Sequence, residues 1–460
     1  MNGLFLKNTA VVGALTFLSR ISGFARDLFV AKYLGAGRLS DCFFVAFKIP
    51  NVFRAIFAEG AFNSAFVPIF SGIVHTEGKE RAGEFARSIF ALLCYMLLVF
   101  TLLAEVFMPW VVAVFAPGFE AEADKFALAV GLSRIMFPFL FFVSVSSFFG
   151  AILNSIGLFK PYALMPIVLN LVMVFSLMFC AILEPATAYV LSWSLWAAGA
   201  VQISYLGFIA YRRGFGVVSF GFEISPPVSR FFRRILPGLV SAGIYHINIM
   251  IGGIFASGTN GAVSWIYYAD RLNQLPVGVI GVAVATVLLP SISKEMKLGR
   301  MNRMKKTFDD SIRLSSLLVI PCAAGLVALS YPLIRVFFER GAFSAADAFE
   351  TARVLSVLCF SLPALVYVKL FANAFYARGD TKTPMIASLL ALIVNVFLSV
   401  VLNRAFGYVG VVAAVSVSSW LGLAALYFES CRRGLVKVYR RTLSDIAKMA
   451  LASVAMGWMV

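Results

Sequence analysis

The chain has 460 residues, 61% of them hydrophobic and only 13% charged, with a mean hydropathy of +0.91. So apolar a chain cannot cover itself with polar surface in water, which excludes a soluble multidomain protein and leaves a polytopic membrane protein. The net charge of +17 would suit a nucleic-acid binder, but in a membrane protein Lys and Arg are first of all topology signals held on the cytoplasmic side.

A spanning helix needs about 20 mostly apolar residues. On that measure the spans run, in chain order, over 9–34, 43–72, 88–115, 126–155, 161–183, 187–211, 232–257, 262–292, 312–338, 348–377, 384–403 and 408–430. A thirteenth opens near Leu443, and the sequence stops within it. The first is read as a membrane helix and not a cleaved signal, because the apolar run from Thr9 to Leu18 continues through Ser19-Arg20 with no small-residue cleavage site. Kinks are expected near Pro50, Pro138, Pro276 and Pro363.

Loop charges set the orientation. The even-numbered loops hold Arg212, Arg213, Arg230, Arg233 and Arg234, then Lys294, Lys297, Arg300, Arg303, Lys305 and Lys306, then Arg432, Arg433, Lys437, Arg440 and Arg441. The odd-numbered loops hold Arg38, Lys125, Arg340 and Arg404. The even loops and the N-terminus are therefore expected to face the cytoplasm, and nucleic acid is not needed to explain the charge.

The chain also repeats itself. Met108-Pro109 through Phe115 and Gly118 resembles Tyr331-Pro332 through Phe338 and Gly341, and the same spacing relates Pro161 to Pro384, Gly35 to Gly258 and Lys48 to Arg271. The expected fold is all-α: two six-helix lobes related by a pseudo-two-fold axis along the membrane normal, plus the start of a thirteenth helix. Residues 1–211 would form the N-terminal lobe, 212–231 a cytoplasmic linker, 232–430 the C-terminal lobe, and 431–460 a basic cytoplasmic segment leading into helix 13.

Substrate sites in such folds lie between the halves near mid-membrane, which points to the leading helix pairs. Those pairs carry Arg20, Arg26, Lys32, Lys48, Arg54 and Arg271, with the acids Asp27, Asp41, Glu59 and Asp270 nearby; Arg134, Arg335, Arg353 and Lys369 are scattered singly. One Arg or Lys facing lipid at mid-bilayer costs about 2.5–3.5 kcal/mol, so several together must face a polar interior. Arg20 and Asp27 share a helix face, as do Asp41 and Lys48, while Lys48, Asn51 and Arg54 form a polar stripe. Internal salt bridges and snorkelling account for Lys32, Arg335 and Lys369, and in part for Arg26-Asp27. The cations that remain in excess call for an anionic partner, and planar guanidinium groups suit phosphate and pyrophosphate oxygens.

Other features carry less. Cys42, Cys94, Cys180, Cys322, Cys359 and Cys431 are dispersed without a CxxC pair and read as small buried hydrophobes. His75 reads as a solvated loop residue, His246 and Asn248 as a buried polar contact, and Asn154, Asn170 and Asn395 as interhelical hydrogen-bond partners. Asp380 belongs to a turn ahead of a helix, and Glu105 stands alone without a role. No metal or cofactor is expected, and no GxxxxGK[ST], HExxH or GxSxG run is present.

The segments Ser19-Arg20-Ile21-Ser22-Gly23-Phe24-Ala25-Arg26-Asp27, Asp41 through Asn51 and Arg54, Ile56 through Phe62, Tyr267-Tyr268-Ala269-Asp270-Arg271-Leu272 and Phe375-Tyr376-Ala377 together resemble the MurJ (MviN) family of bacterial lipid II flippases. The resemblance runs over essentially the whole chain. It implies the multidrug/oligosaccharidyl-lipid/polysaccharide exporter fold around a central cationic cavity, in the bacterial inner membrane. It also implies a non-enzymatic role in peptidoglycan biosynthesis and cell shape, with lipid II, the undecaprenyl-pyrophosphate-linked muropeptide, moved to the outer leaflet. The family's cavity arginines fall on Arg20, Arg26, Arg54 and Arg271 as pyrophosphate ligands, and Asp41 and Glu59 match acids associated with cavity closure. Asp27, Lys48, Asn51 and Asp270 would support the cavity or its gate. The expected partners are lipid II, membrane lipids and other cell-wall synthesis proteins, and the expected state is a monomer. Relatives carry fourteen spans, the last two forming a groove for the lipid tail, so this chain is expected to lack part of that groove. Where some relatives place a sodium-binding acid on the seventh span, this chain offers Asn248, so sodium coupling is not expected. Two other readings remain open: a flippase for another polyprenyl-linked saccharide, and a membrane-embedded transferase, for which Asp309-Asp310 is the only adjacent acid pair.

Overall fold

The computed structural model describes residues 3–57, 60–180, 187–216, 221, 223, 225–436 and 438–459. The side chains of His246 and Asn248, and all of Glu59, lie outside what is described. The described residues form helices, turns and short connections with no strand, and eight helical stretches are long and apolar enough to cross a membrane. The chain divides into two compact units, Met1–Ile247 and Asn248–Val460.

The first unit contains α1 (Gly3–Leu34), α2 (Arg38–Phe57), α3 (Gly60–Thr76), α4 (Lys79–Val106), α5 (Met108–Phe115), α6 (Ala123–Met136), α7 (Phe139–Ser155), α8 (Lys160–Ala163), α9 (Met165–Cys180) and α10 (Thr187–Arg212), then most of α11 (Pro226–Ala256), which continues into the second unit. Breaks follow the prolines. Pro109 and Pro138 stand at the α4/α5 and α6/α7 breaks, where each lacks the N–H that would continue the ladder. Pro50 behaves differently: it lies inside α2, with helix described on both sides of it. The core is aromatic. Phe66 stacks between Phe62, Phe70 and Phe85 at centroid distances of 5.2–5.6 Å, and Phe148 and Phe231 meet it edge-on or tilted. The opposite side of α4 presents Leu98, Val99, Leu102, Leu103 and Val106 outward, the composition expected of a lipid-facing surface.

The second unit continues with α12 (Ala262–Pro276), a π-helical turn over Val277–Gly281 beside Pro276, α13 (Val282–Lys297), α14 (Met301–Ala328), α15 (Ser330–Phe338), α16 (Ala345–Cys359), α17 (Leu362–Tyr376), α18 (Lys382–Arg432) and α19 (Arg440–Met459). The short helices α5 and α15 fall on the two copies of the sequence repeat, and in both units a long helix breaks just before them. Pro363 opens α17 after a break at Ser361. α18 is two helices joined at Gly407, whose φ of 59° and ψ of −147° are open to glycine and not to side-chain-bearing residues. Its core packs α13, α14, α17 and α18 through Phe308, Phe371, Tyr367 and Leu370, with Ser316 and Tyr367 sharing a buried hydrogen bond of 2.7 Å. The stretch around Leu443, where a thirteenth span is expected to open, lies in the helix α19 along α14; α19 is not one of the eight stretches long and apolar enough to cross a membrane.

Candidate functional site

In the first unit the charged residues of α1 and α2 separate into two sets. The buried set is paired. Arg26 is 6% exposed and Asp27 1%, and the Arg26 guanidinium donates to Asp27 Oδ1 at 2.7 and 3.0 Å. A third bond runs to Asn170 Oδ1 on α9 at 3.1 Å, and the guanidinium lies over Phe47, 5.5 Å from the ring centroid. Asn170 completes the corner by donating to the Ser19 carbonyl and to Ser22 Oγ, which makes it the interhelical partner its sequence position suggested.

The second buried pair corrects the sequence reading. Lys125, read as an odd-loop cation, is instead in the first turn of α6 and 2% exposed. Its Nζ meets Asp41 Oδ2 at 3.3 Å and sits 4.3 Å from the Phe119 ring centroid, while its backbone carbonyl accepts from Cys42 Sγ. Asp41, read as sharing a helix face with Lys48, is fully buried and ties α2 to α6. The acidic run Glu120-Ala121-Glu122-Ala123-Asp124 made this stretch look like loop. The available signal was periodicity: Lys125, Ala129, Leu132 and Met136 are all buried and recur at helical spacing.

The other set is accessible. Arg20 is exposed on α1. On α2 the expected polar stripe is present: Arg54 Nε donates to Asn51 Oδ1 at 3.2 Å, Asn51 Nδ2 donates to the Phe47 carbonyl at 2.7 Å, and Lys48 stands half-buried one turn away. In the second unit, half-buried Arg271 on α12 donates to the Tyr267 hydroxyl at 2.6 Å and lies over that ring at 4.6 Å, while Asp270 accepts from Gln274. A guanidinium stacked on a tyrosine is fixed in orientation.

Glu105 and Arg134 also find an explanation. Pro109 has no N–H to give the Glu105 carbonyl, and Arg134 Nε donates to that oxygen at 3.3 Å. Asp309 is no member of a metal-binding pair: it is 8% exposed in α14, bound to Arg313 at 3.1 Å and to Thr442 of α19 at 2.6 Å.

Broken spans, a repeated helix order and charge inside an apolar chain are the features of a multi-span membrane transporter. A MATE-family transporter of the MOP superfamily, solved in an inward-facing conformation, superimposes with a TM-score of 0.77 over 92% of this chain and 97% of that one, at 14% identity, which shows a shared fold. The family model "Lipid II flippase MurJ" matches residues 30–460. Among curated proteins, the probable lipid II flippase MurJ of Rhizobium tropici is 39% identical over 98% of this chain and 85% of its own length; that of Rickettsia prowazekii is 35% identical over 92% and 83%. A solved structure titled "Lipid II flippase MurJ, inward closed conformation" matches with a TM-score of 0.83 at 25% identity, covering 98% of this chain and 92% of that one. The chain belongs to the MurJ lipid II flippase family.

Proposed function

We propose that this chain is a lipid II flippase of the bacterial cytoplasmic membrane, with its N-terminus and even-numbered loops cytoplasmic. It carries the undecaprenyl-pyrophosphate-linked precursor to the outer leaflet and does not convert it chemically. The observation that carries this reading is the family match over 30–460 in a chain whose intramembrane charge is predominantly cationic. In this reading residues 1–211 and 232–430 act as two lobes, joined by the basic linker 212–231, and rock about a cavity lined by Arg20, Arg26, Arg54 and Arg271. Arg20, Arg54 and Arg271, the accessible three, contact the pyrophosphate oxygens. Arg26, held by Asp27 and Asn170, contributes its charge from behind unless it exchanges partners when the headgroup arrives. Asp27, Asp41, Lys48, Asn51, Glu59 and Asp270 support the cavity or its gate. Both lobes belong to one polypeptide, so a monomer suffices.

An inside-negative membrane potential drives the cycle in this proposal. Moving two net negative charges outward gains about 4–5 kcal/mol per 100 mV, less whatever the protein cations neutralise, and the empty cationic site is drawn back inward. The test is native mass spectrometry of detergent-released protein with lipid II, comparing wild type with Arg271→Ala and Arg54→Ala. Binding weakened by both substitutions is expected; binding indifferent to them removes the arginines as headgroup ligands. In vesicles, headgroup export unchanged after the potential is dissipated would refute the drive.

A further inference from the structure

A second cationic feature lies in the first unit, apart from the α1 and α2 charges. The start of α4 and the segment just after α10 enclose a cavity of about 370 Å³ lined by Lys79, Glu80, Gly83, Arg87, Gly214, Phe215 and Gly216. Its two walls come from even-numbered loops far apart in sequence, the α3–α4 turn and the stretch that follows Arg212 and Arg213. Both belong to the face that the loop charges assign to the cytoplasm.

Several independent features make this cavity suited to a phosphate group. Arg87 is half-buried, two turns into α4 from Lys79, and has no hydrogen-bond or ion-pair partner among the described residues. Glu80 also lines the cavity, so the lining charge is one net positive. α4 is a helix of 28 residues that begins without a side-chain cap, so its first N–H groups and the positive end of its dipole face this end of the cavity. The carbonyls at the end of α10, which would repel an anion, are already engaged: Phe215 N–H donates to the Ala210 carbonyl at 3.0 Å and Gly214 N–H to that of Tyr211 at 2.9 Å. Gly83 leaves the wall open, because a Cβ built there meets nothing within 4 Å.

Depth selects the source of the phosphate. Arg87 immediately precedes the apolar run that starts at Ser88, so the cavity sits where α4 enters the membrane, level with headgroups. We propose that this cavity is a binding site for the phosphodiester headgroup of an anionic glycerophospholipid of the inner leaflet. Arg87 and Lys79 hold the phosphate oxygens, the start of α4 adds backbone donors, and the acyl chains stay in the bilayer beside the outward apolar side of α4. Such basic pockets between spanning helices are a recurrent mode of lipid recognition. The lipid would join the α3–α4 turn to the end of α10 and so brace one face of the unit.

The full chain, purified and placed in phosphatidylcholine nanodiscs, is titrated with phosphatidylglycerol while its unfolding midpoint is followed, and retained phosphatidylglycerol is counted by native mass spectrometry. Wild type is expected to retain one phosphatidylglycerol more tightly than the rest and to gain stability as it binds. Arg87→Gln and Lys79→Gln should each weaken that retention about fivefold. Gly83→Leu should abolish it with every charge intact, because leucine fills the cavity. Retention unchanged in Arg87→Gln or Gly83→Leu overturns the site. Inorganic phosphate in phosphatidylcholine discs reproducing the whole shift overturns the lipid as its source. Should Gly83→Leu lower the midpoint in pure phosphatidylcholine, the comparison of Arg87→Gln with Arg87→Lys decides, since only the lysine keeps the charge.

Discussion

The two units fasten the same corner by different chemistry. In the first, α2 is tied to α6 by Asp41 and Lys125, an ion pair with side chains 0% and 2% exposed. In the second, α12 is tied to α16 at the corresponding place by Trp265, whose indole N–H donates to Asp347 Oδ1 at 3.0 Å while the other carboxylate oxygen serves Ser344 in a capping box. A neutral donor on a half-exposed carboxylate can be lost without stranding a charge. A buried ion pair cannot lose one partner alone, because the other is left desolvated and uncompensated. Contacts at matching places in the two units thus carry different energetic weight.

That contrast is open to measurement. The largest effect is expected from single substitutions in the ion pair: Asp41→Asn or Lys125→Met should each destabilise the protein by about 3–5 kcal/mol. The double variant should regain much of the loss, and a double-mutant cycle from unfolding midpoints in detergent would read the coupling. Additive losses would show that the two side chains act independently. Next in size is the second unit's own speciality: Gly407→Ala should cost about 1–3 kcal/mol, since alanine does not tolerate the backbone conformation there. Trp265→Phe keeps an aromatic ring beside Tyr408 but removes the indole donor, and about 1–2 kcal/mol is expected by the same unfolding measurement. A loss as large as that for Lys125→Met would erase the distinction between the corners.

The smallest effect concerns the turn before α18. Asp380 accepts from the Thr383 backbone N–H at 3.0 Å and from its hydroxyl at 2.6 Å, with Arg433 at 2.8 Å. These bonds hold its carboxyl below the ordinary value of 3.8, the Thr383 bonds being the larger cause. A lowered folded value means that the stabilisation is present above the unfolded value and is lost as pH falls through the lowered one. The gap in unfolding midpoint between wild type and Asp380→Asn should be level from pH 7 to about 5 and close below about 4. The matching turn of the first unit, Ile156-Gly157-Leu158-Phe159, has no carboxylate and should show no such closure.

Much of the fold was legible because lipid forces helices to be long, apolar and internally hydrogen-bonded, and the prolines at 138, 276 and 363 announce where the ladder fails. Pro50, by contrast, stands inside a helix that continues past it. The candidate cations were visible as charges in apolar runs, and Arg26-Asp27 was readable in part as an internal salt bridge, yet the full division into paired and accessible was not. That division depends on Asn170 and Lys125, which lie 144 and 84 residues away from Arg26 and Asp41. No local pattern links partners so distant, and Lys125 was further hidden by the acidic stretch before it.

The joint at Gly407 bears on how the protein is made. With one residue between its two helical halves, α18 has no loop that could wait in water while the second half is synthesised. A lone first half would leave the last carbonyls before Gly407 and the bend itself unsupported in lipid or at its edge. The two halves are thus expected to leave the insertion machinery together as a hairpin. An insertion after Gly407, such as a glycosylation tag long enough to free the halves, would turn one concerted membrane entry into two.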